Sequence, residues 1–126
     1  MLKRIKNFDK LNDRTFLYDD IMYTLKTRKP YEGFYENIYE MDILDNDLKT
    51  VLVASIRIEF DEKASEDKFR LDIKMPYTPI VMNISVFLES LSNFNLFCKD
   101  LETQLKVVLK NIKEHTEWKI ISGYAI

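Results

Sequence analysis

A chain of 126 residues that is 46% apolar and 32% charged has the size and balance of one soluble domain able to close its own core. Its net charge is −2, and the cations are interspersed with acids along the whole length rather than gathered into the positive stripe of a protein that works by phosphate contacts. A single cysteine, Cys98, excludes an internal disulfide and any paired-cysteine zinc or redox motif, and no apolar run is long enough to span a bilayer.

The opening MLKRIKNFDK lacks the apolar region of a signal peptide, which predicts a cytoplasmic location. Lys, Ile, Asn, Tyr and Phe, whose codons are AT-rich, far outnumber Ala, Gly, Pro and Arg, as in a low-GC bacterium, its phage or another mobile element. No repeat, low-complexity tract or linker interrupts the chain, so residues 1–126 are expected to form one domain.

In chain order, DRTFLYDDIMYTLKTR (13–28) places Leu17, Ile21 and Leu25 four apart with Asp13 as N-cap, and predicts a helix ended before Pro30. YEGFYENIYEM (31–41) sets Tyr31, Tyr35 and Tyr39 four apart, with Glu32, Glu36 and Glu40 beside them. Its first half fits an amphipathic helical turn, and from Asn37 the alternation of Tyr39, Met41 and Ile43 fits a strand running into the turn Asp45-Asn46-Asp47. The aromatic arc is expected to serve mainly as core, with Tyr31 its exposed member and Tyr35 buried.

Two further strands follow. Leu52, Ala54, Ile56, Ile58 and Phe60 alternate with polar positions, as do Phe69, Leu71, Ile73 and Met75, with DEKASED (61–67) as the hairpin connection. Thr78-Pro79 reads as a cap and first turn, and from Ile84 through Phe87, Leu91, Phe94, Cys98, Leu101, Leu105, Val108 and Leu109 to Ile112 an apolar stripe predicts a long helix. The segment Ser92-Asn93-Phe94-Asn95 is poor helix composition, leaving one bent helix or two. Glu102 with Lys106 and Lys110 with Glu114 supply ion pairs four residues apart, and WKIISGYAI (118–126) is expected to return as a strand. The predicted fold class is therefore α+β, in the order αβββαβ: a three-stranded antiparallel meander and a C-terminal strand, covered on one face by an N-terminal and a long C-terminal helix.

Little in the sequence supports catalysis. The one histidine, His115, falls at the polar end of the predicted long helix, where it complements the helix dipole, and Cys98 lies in the apolar stripe. There is no Gly-rich phosphate loop, nucleophile elbow or zinc-protease spacing. DILDNDLKT offers Asp42, Asp45 and Asp47, but counted from Asp45 the calcium-loop glycine and glutamate positions hold Thr50 and Ile56, so no metal site is expected there.

One enzymatic alternative uses the predicted element order. Asp72-Ile73-Lys74 has the acid-x-Lys spacing, and with Asp47, or Asp19 and Asp20, it resembles the core of restriction-endonuclease-like nucleases. That resemblance implies Mg²⁺ held by two carboxylates, with Lys74 positioning water. The same order is similar to double-stranded-RNA-binding domains, which would imply a nucleic-acid-binding module, yet 78–85 carries no cation.

The favoured expectation is a non-enzymatic factor of accessory, inhibitor or immunity type that binds another protein without a cofactor, with room for homo-oligomerisation. Its candidate contact residues are Tyr31, Glu32, Tyr35 and Glu36, because tyrosine supplies large contact area at low entropic cost.

Overall fold

Period-two alternation dominates the sequence from Thr15 to Lys74, and the chain turns it into long antiparallel strands. The computed structural model describes residues 2–74, 79–82 and 93–121, with side chains at 2–73 and 93–112. A 3-10 turn (Phe8–Leu11) precedes β1 (Thr15–Tyr18), β2 (Ile21–Thr27), β3 (Tyr31–Glu32), β4 (Glu36–Leu44), β5 (Thr50–Asp61), β6 (Glu66–Lys74) and β7 (Pro79–Met82), and one helix, α1 (Phe94–Ile121), follows.

The strands form one sheet in the order β1-β2-β4-β5-β6-β7, every neighbouring pair antiparallel, curled into a half-barrel. β3 pairs with the start of β4, on the edge that β2 leaves open, because β2 reaches only Met41 to Leu44.

The apolar residues of this sheet share one face. Tyr39, Met41 and Ile43 of β4, Leu52, Ala54, Ile56 and Ile58 of β5, and Phe69, Leu71 and Ile73 of β6 are all buried. Two layers cover them. α1 contributes Phe97, Cys98, Leu101, Leu105, Val108 and Leu109, and the N-terminal segment contributes Leu2, Ile5, Phe8 and Leu11. Phe8 packs against the ring of Tyr39 at 5.1 Å. The opposite face of the sheet is half-buried or exposed and largely charged.

The fold is thus mostly β, which corrects the α+β expectation of αβββαβ. Residues 13–28 form the β1–β2 hairpin and no N-terminal helix. Asp19 and Asp20 both adopt positive φ (51° and 62°), the conformation of a two-residue hairpin turn with the strand-matching twist. Across that turn Tyr18 lies opposite Ile21 and Phe16 opposite Tyr23, so the inward set is Phe16, Tyr18, Ile21, Tyr23 and Leu25, whereas Leu17 points outward.

The expected helical turn at 31–36 is likewise a hairpin, β3–β4. The strand expectations from Asn37 onward, at 52–60 and at 69–73, hold, as do the turn at Asp45-Asn46-Asp47 and the DEKASED hairpin.

At the C-terminal end the stripe from Phe94 to Ile112 lies on one described helix, α1. Pro79, taken as a helix first turn, begins an edge strand, where a residue without an N–H is tolerated. Ile84, Phe87 and Leu91 lie outside the described residues.

The helix opens at Phe94, after Asn93: the Asn93 side-chain oxygen accepts the Leu96 N–H at 3.2 Å, and the Asn93 carbonyl accepts that of Phe97 at 2.9 Å. Asn93, a poor residue for a helix interior, therefore makes a good helix start. Backbone at Trp118 to Ile121 is helical, against the expectation of a strand there; 122–126 lie outside the described residues.

Candidate functional site

The segment that joins β3 to β4 gathers the features an interaction site needs. Gly33 donates its N–H to the Glu36 carbonyl at 2.9 Å, closing a hairpin whose tip is Phe34-Tyr35. Tyr35 in turn accepts the Phe60 N–H at 3.1 Å, so the tip leans on the end of β5.

The Tyr31 side chain folds across Gly33: a Cβ there would lie 2.9 Å from its ring carbon and hydroxyl, and the exposed ring would have to swing aside to admit one. Exposure is high at all three aromatics of the hairpin, 58% at Tyr31, 95% at Phe34 and 72% at Tyr35, and Phe60 beside them is also exposed.

This corrects the sequence reading of the arc. Spacing of four predicted a shared helical face with Tyr35 buried, whereas a hairpin turn separates the tyrosines. Only Tyr39, inside β4, enters the core.

The base of the hairpin is tied down from below. The buried Tyr39 hydroxyl accepts the Ile5 N–H and donates to Glu32, both at 3.3 Å, and Glu32 also pairs with Arg4 at 3.1 Å. Burial is the main reason the Tyr39 phenol is pushed above its ordinary value. Asn37, the one buried polar residue among those described, donates its side-chain amide to the Lys3 carbonyl at 2.9 Å, and the Lys3 N–H is held by Asp67 at 2.9 Å.

Between the N-terminal segment and the β2–β3 connection lies a cleft of about 350 Å³, floored by Phe8, Pro30 and Tyr39. Its rim carries Lys29 beside Asp9 and Glu32, so it selects no single charge class.

Along the outer face, charges pair in knots. Arg57 reaches Glu36 at 3.9 Å and Glu59 at 3.4 Å; Arg28 reaches Glu40 at 3.4 Å and Asp42 at 2.7 Å. The hydrogen bond to Asp42 is the leading cause of the raised pKa of the Arg28 guanidinium. Lys68 and Asp61 pair at 2.9 Å, a contact that holds the Asp61 carboxyl below its usual range.

The residues proposed for metal chemistry do not converge in a comparable way. Asp72 lies on the outer face of β6, where Arg70 donates to it at 2.8 Å, and Asp47 sits exposed in the β4–β5 turn, where its N–H is accepted by the Asp45 carboxylate. Lys74 ends β6, and its side chain lies outside those described. Among the described residues no three His, Cys, Asp or Glu side chains come together as ligands. The nuclease resemblance rested on a leading helix, and Asp19 and Asp20, assigned to it, form a hairpin turn instead.

Cys98 is buried, and burial pushes its thiol up, which makes it a packing residue. The backbone at His115 is helical, as expected, with its side chain outside those described.

Of the candidate contact residues, Tyr31 and Tyr35 are exposed, Glu36 is half-buried, and Glu32 braces the hairpin from beneath. Phe34 and Phe60, exposed beside them, are not among the residues the sequence singled out. The available signal was the pair Gly33-Phe34 at a loop position, where a large apolar side chain has no fold to serve.

Among the described residues no helix is long and apolar enough to cross a membrane. Comparison with known protein families, with characterised proteins and with solved structures finds no match.

Proposed function

We propose that this chain is a non-catalytic protein of accessory, inhibitor or immunity type, cytoplasmic in a low-GC bacterium or a mobile element, which binds another protein through the β3–β4 hairpin. One observation carries the reading: Tyr31, Phe34 and Tyr35 stand exposed on a single tight hairpin whose base is fixed by buried hydrogen bonds. Aromatic side chains kept in water cost solubility and contribute nothing to the core. Presented on a rigid base, they lose little entropy on contact and resemble the anchors that dominate binding energy at interfaces.

The test is paired capture from a low-GC bacterial lysate, with wild-type protein and the triple variant Tyr31→Ser, Phe34→Ser, Tyr35→Ser as baits. The expected result is a protein retained by wild type and lost by a variant whose thermal midpoint stays within a few degrees. Retention of the same proteins by both baits would remove the hairpin from the interface.

A further inference from the structure

β1 closes one side of the sheet: among the described residues it pairs with β2 and with no other strand. Such an edge presents unpaired N–H and C=O groups, and native proteins guard it with proline, charge or a bulge. The opposite edge strand, β7, begins with Pro79. Within β1, TFLY, there is no proline and no charge, so only its length of 4 residues limits pairing there.

The hairpin fixes which groups face outward. Around the turn Asp19-Asp20, Tyr18 and Ile21 exchange backbone hydrogen bonds, as do Phe16 and Tyr23 two positions on. The Leu25 N–H donates to the Arg14 carbonyl at 2.8 Å, in the same phase. The N–H and C=O of Thr15 and Leu17 therefore point away from β2, toward the open side. Beside them an apolar pair stands in water, because Leu17, 57% exposed, lies opposite Met22, 45% exposed.

Two antiparallel registers join most of one β1 to that of another copy in this phase. With the two-fold axis at Phe16, Asp13 of each copy falls beside the acidic turn Asp19-Asp20 of the other, and like charges oppose. With the axis at Leu17, Arg14 falls there instead. Arg14 reaches Glu102 through Nε at 3.6 Å, and its guanidinium keeps further donors for a second carboxylate. This register also sets Phe16 opposite Tyr18 of the second copy on the inner face. On the outer face it brings the two Leu17 side chains together beside their Met22 neighbours.

We infer that two copies of this chain associate through β1, antiparallel about a two-fold axis at Leu17, so that the sheet continues from one copy into the other. Any extended segment satisfies the backbone groups, but the charge arrangement matches itself. Asp13 is engaged by Lys26, which leaves Arg14 as the charge before the strand and the acidic turn as the charge after it, and an antiparallel copy answers both at once. One short edge makes a small interface, of the class that forms reversible dimers. β1 lies toward the Leu44 end of β4 and the β3–β4 tip at its Glu36 end, so the dimer leaves both tips open and the inference is independent of what they bind.

Sedimentation velocity of the full chain from about 10 µM to about 0.5 mM reads the association directly. For wild type the sedimentation coefficient is expected to rise with concentration toward that of a dimer. Leu17→Lys, which sets two ammonium groups on the axis, should stay monomeric throughout. Arg14→Glu, which turns acids against acids at both ends, should dimerise about tenfold more weakly or worse, whereas Arg14→Lys retains the dimer. Leu17 and the Arg14 side chain are well exposed, and thermal melts confirm that the variants are folded.

A wild type that is monomeric at about 0.5 mM would overturn the inference and leave the edge to a strand of another protein. A dimer unaffected by Leu17→Lys would place the contact elsewhere, and one unaffected by Arg14→Glu would reject the register in which the charges match; either result overturns the inference as well.

Discussion

At the scale of single residues, Tyr39 links the sheet to the N-terminal segment, which lies across it. Its ring is buried beside Phe8, and its hydroxyl supplies both an acceptor for Ile5 and a donor for Glu32. Tyr39→Phe keeps the ring and leaves the buried Ile5 N–H without its partner, so it should destabilise the fold by about 1–3 kcal/mol in urea titration. The difference should depend on pH. Because burial raises the native phenol above its ordinary 10.0, the unfolded chain loses that proton first as pH rises. Wild type then loses stability above pH 10.0 through a group the phenylalanine variant lacks, and the gap between the two should narrow there. A gap constant through the alkaline range would show that the phenol titrates alike in both states.

Among the elements, the hairpins carry most of the specification, and three of them, β1–β2, β4–β5 and β5–β6, contain backbone held at positive φ by residues other than glycine. Leu48, in the β4–β5 turn, has φ 59° and an exposed side chain, so its Cβ strains the backbone with no burial to offset it. Asp45 organises that turn by accepting the N–H groups of Asp47 and Lys49, both at 2.9 Å, which leaves the loop geometry independent of the Leu48 side chain. Leu48→Gly should therefore raise stability by about 1 kcal/mol, read as a higher thermal midpoint with unchanged far-ultraviolet dichroism. A lower midpoint would mean that Leu48 makes contacts the exposed turn does not show. In the β1–β2 hairpin the same conformation falls on Asp19 and Asp20, which tolerate it because a short polar side chain bonds locally.

For the molecule as a whole, stability and recognition are carried by separate residues. Leu105 is fully buried between α1 and the sheet, and Leu105→Ala should cost about 2–5 kcal/mol through lost transfer energy and a residual cavity. The hairpin triple variant removes side chains that are mostly in water, so its denaturation midpoint should sit close to that of wild type. If the two variants unfold at similar denaturant concentrations, the exposed tip contributes to the fold after all, and loss of binding could no longer be separated from loss of structure.

The sequence by itself determined β4, β5 and β6 and their inward faces, because strict alternation over long runs admits only one buried side. It also determined the buried stripe of α1 from Phe94 to Ile112, since those apolar positions recur at helical spacing with polar residues between them. Where spacing was four, the pattern was ambiguous. Four is close to one helical turn and is also an even number of strand positions, so Leu17, Ile21 and Leu25 satisfied both periods. Only the positive φ at Asp19 and Asp20, which inverts the face between the two strands, decided for a hairpin. The tyrosines at 31, 35 and 39 posed the same ambiguity. The exposure of Tyr31 and Tyr35 and the burial of Tyr39 were decided by tertiary structure: Tyr31 pairs with Ile38 on the outer face, Tyr35 stands in the turn between β3 and β4, and Tyr39 alone lies on the covered face.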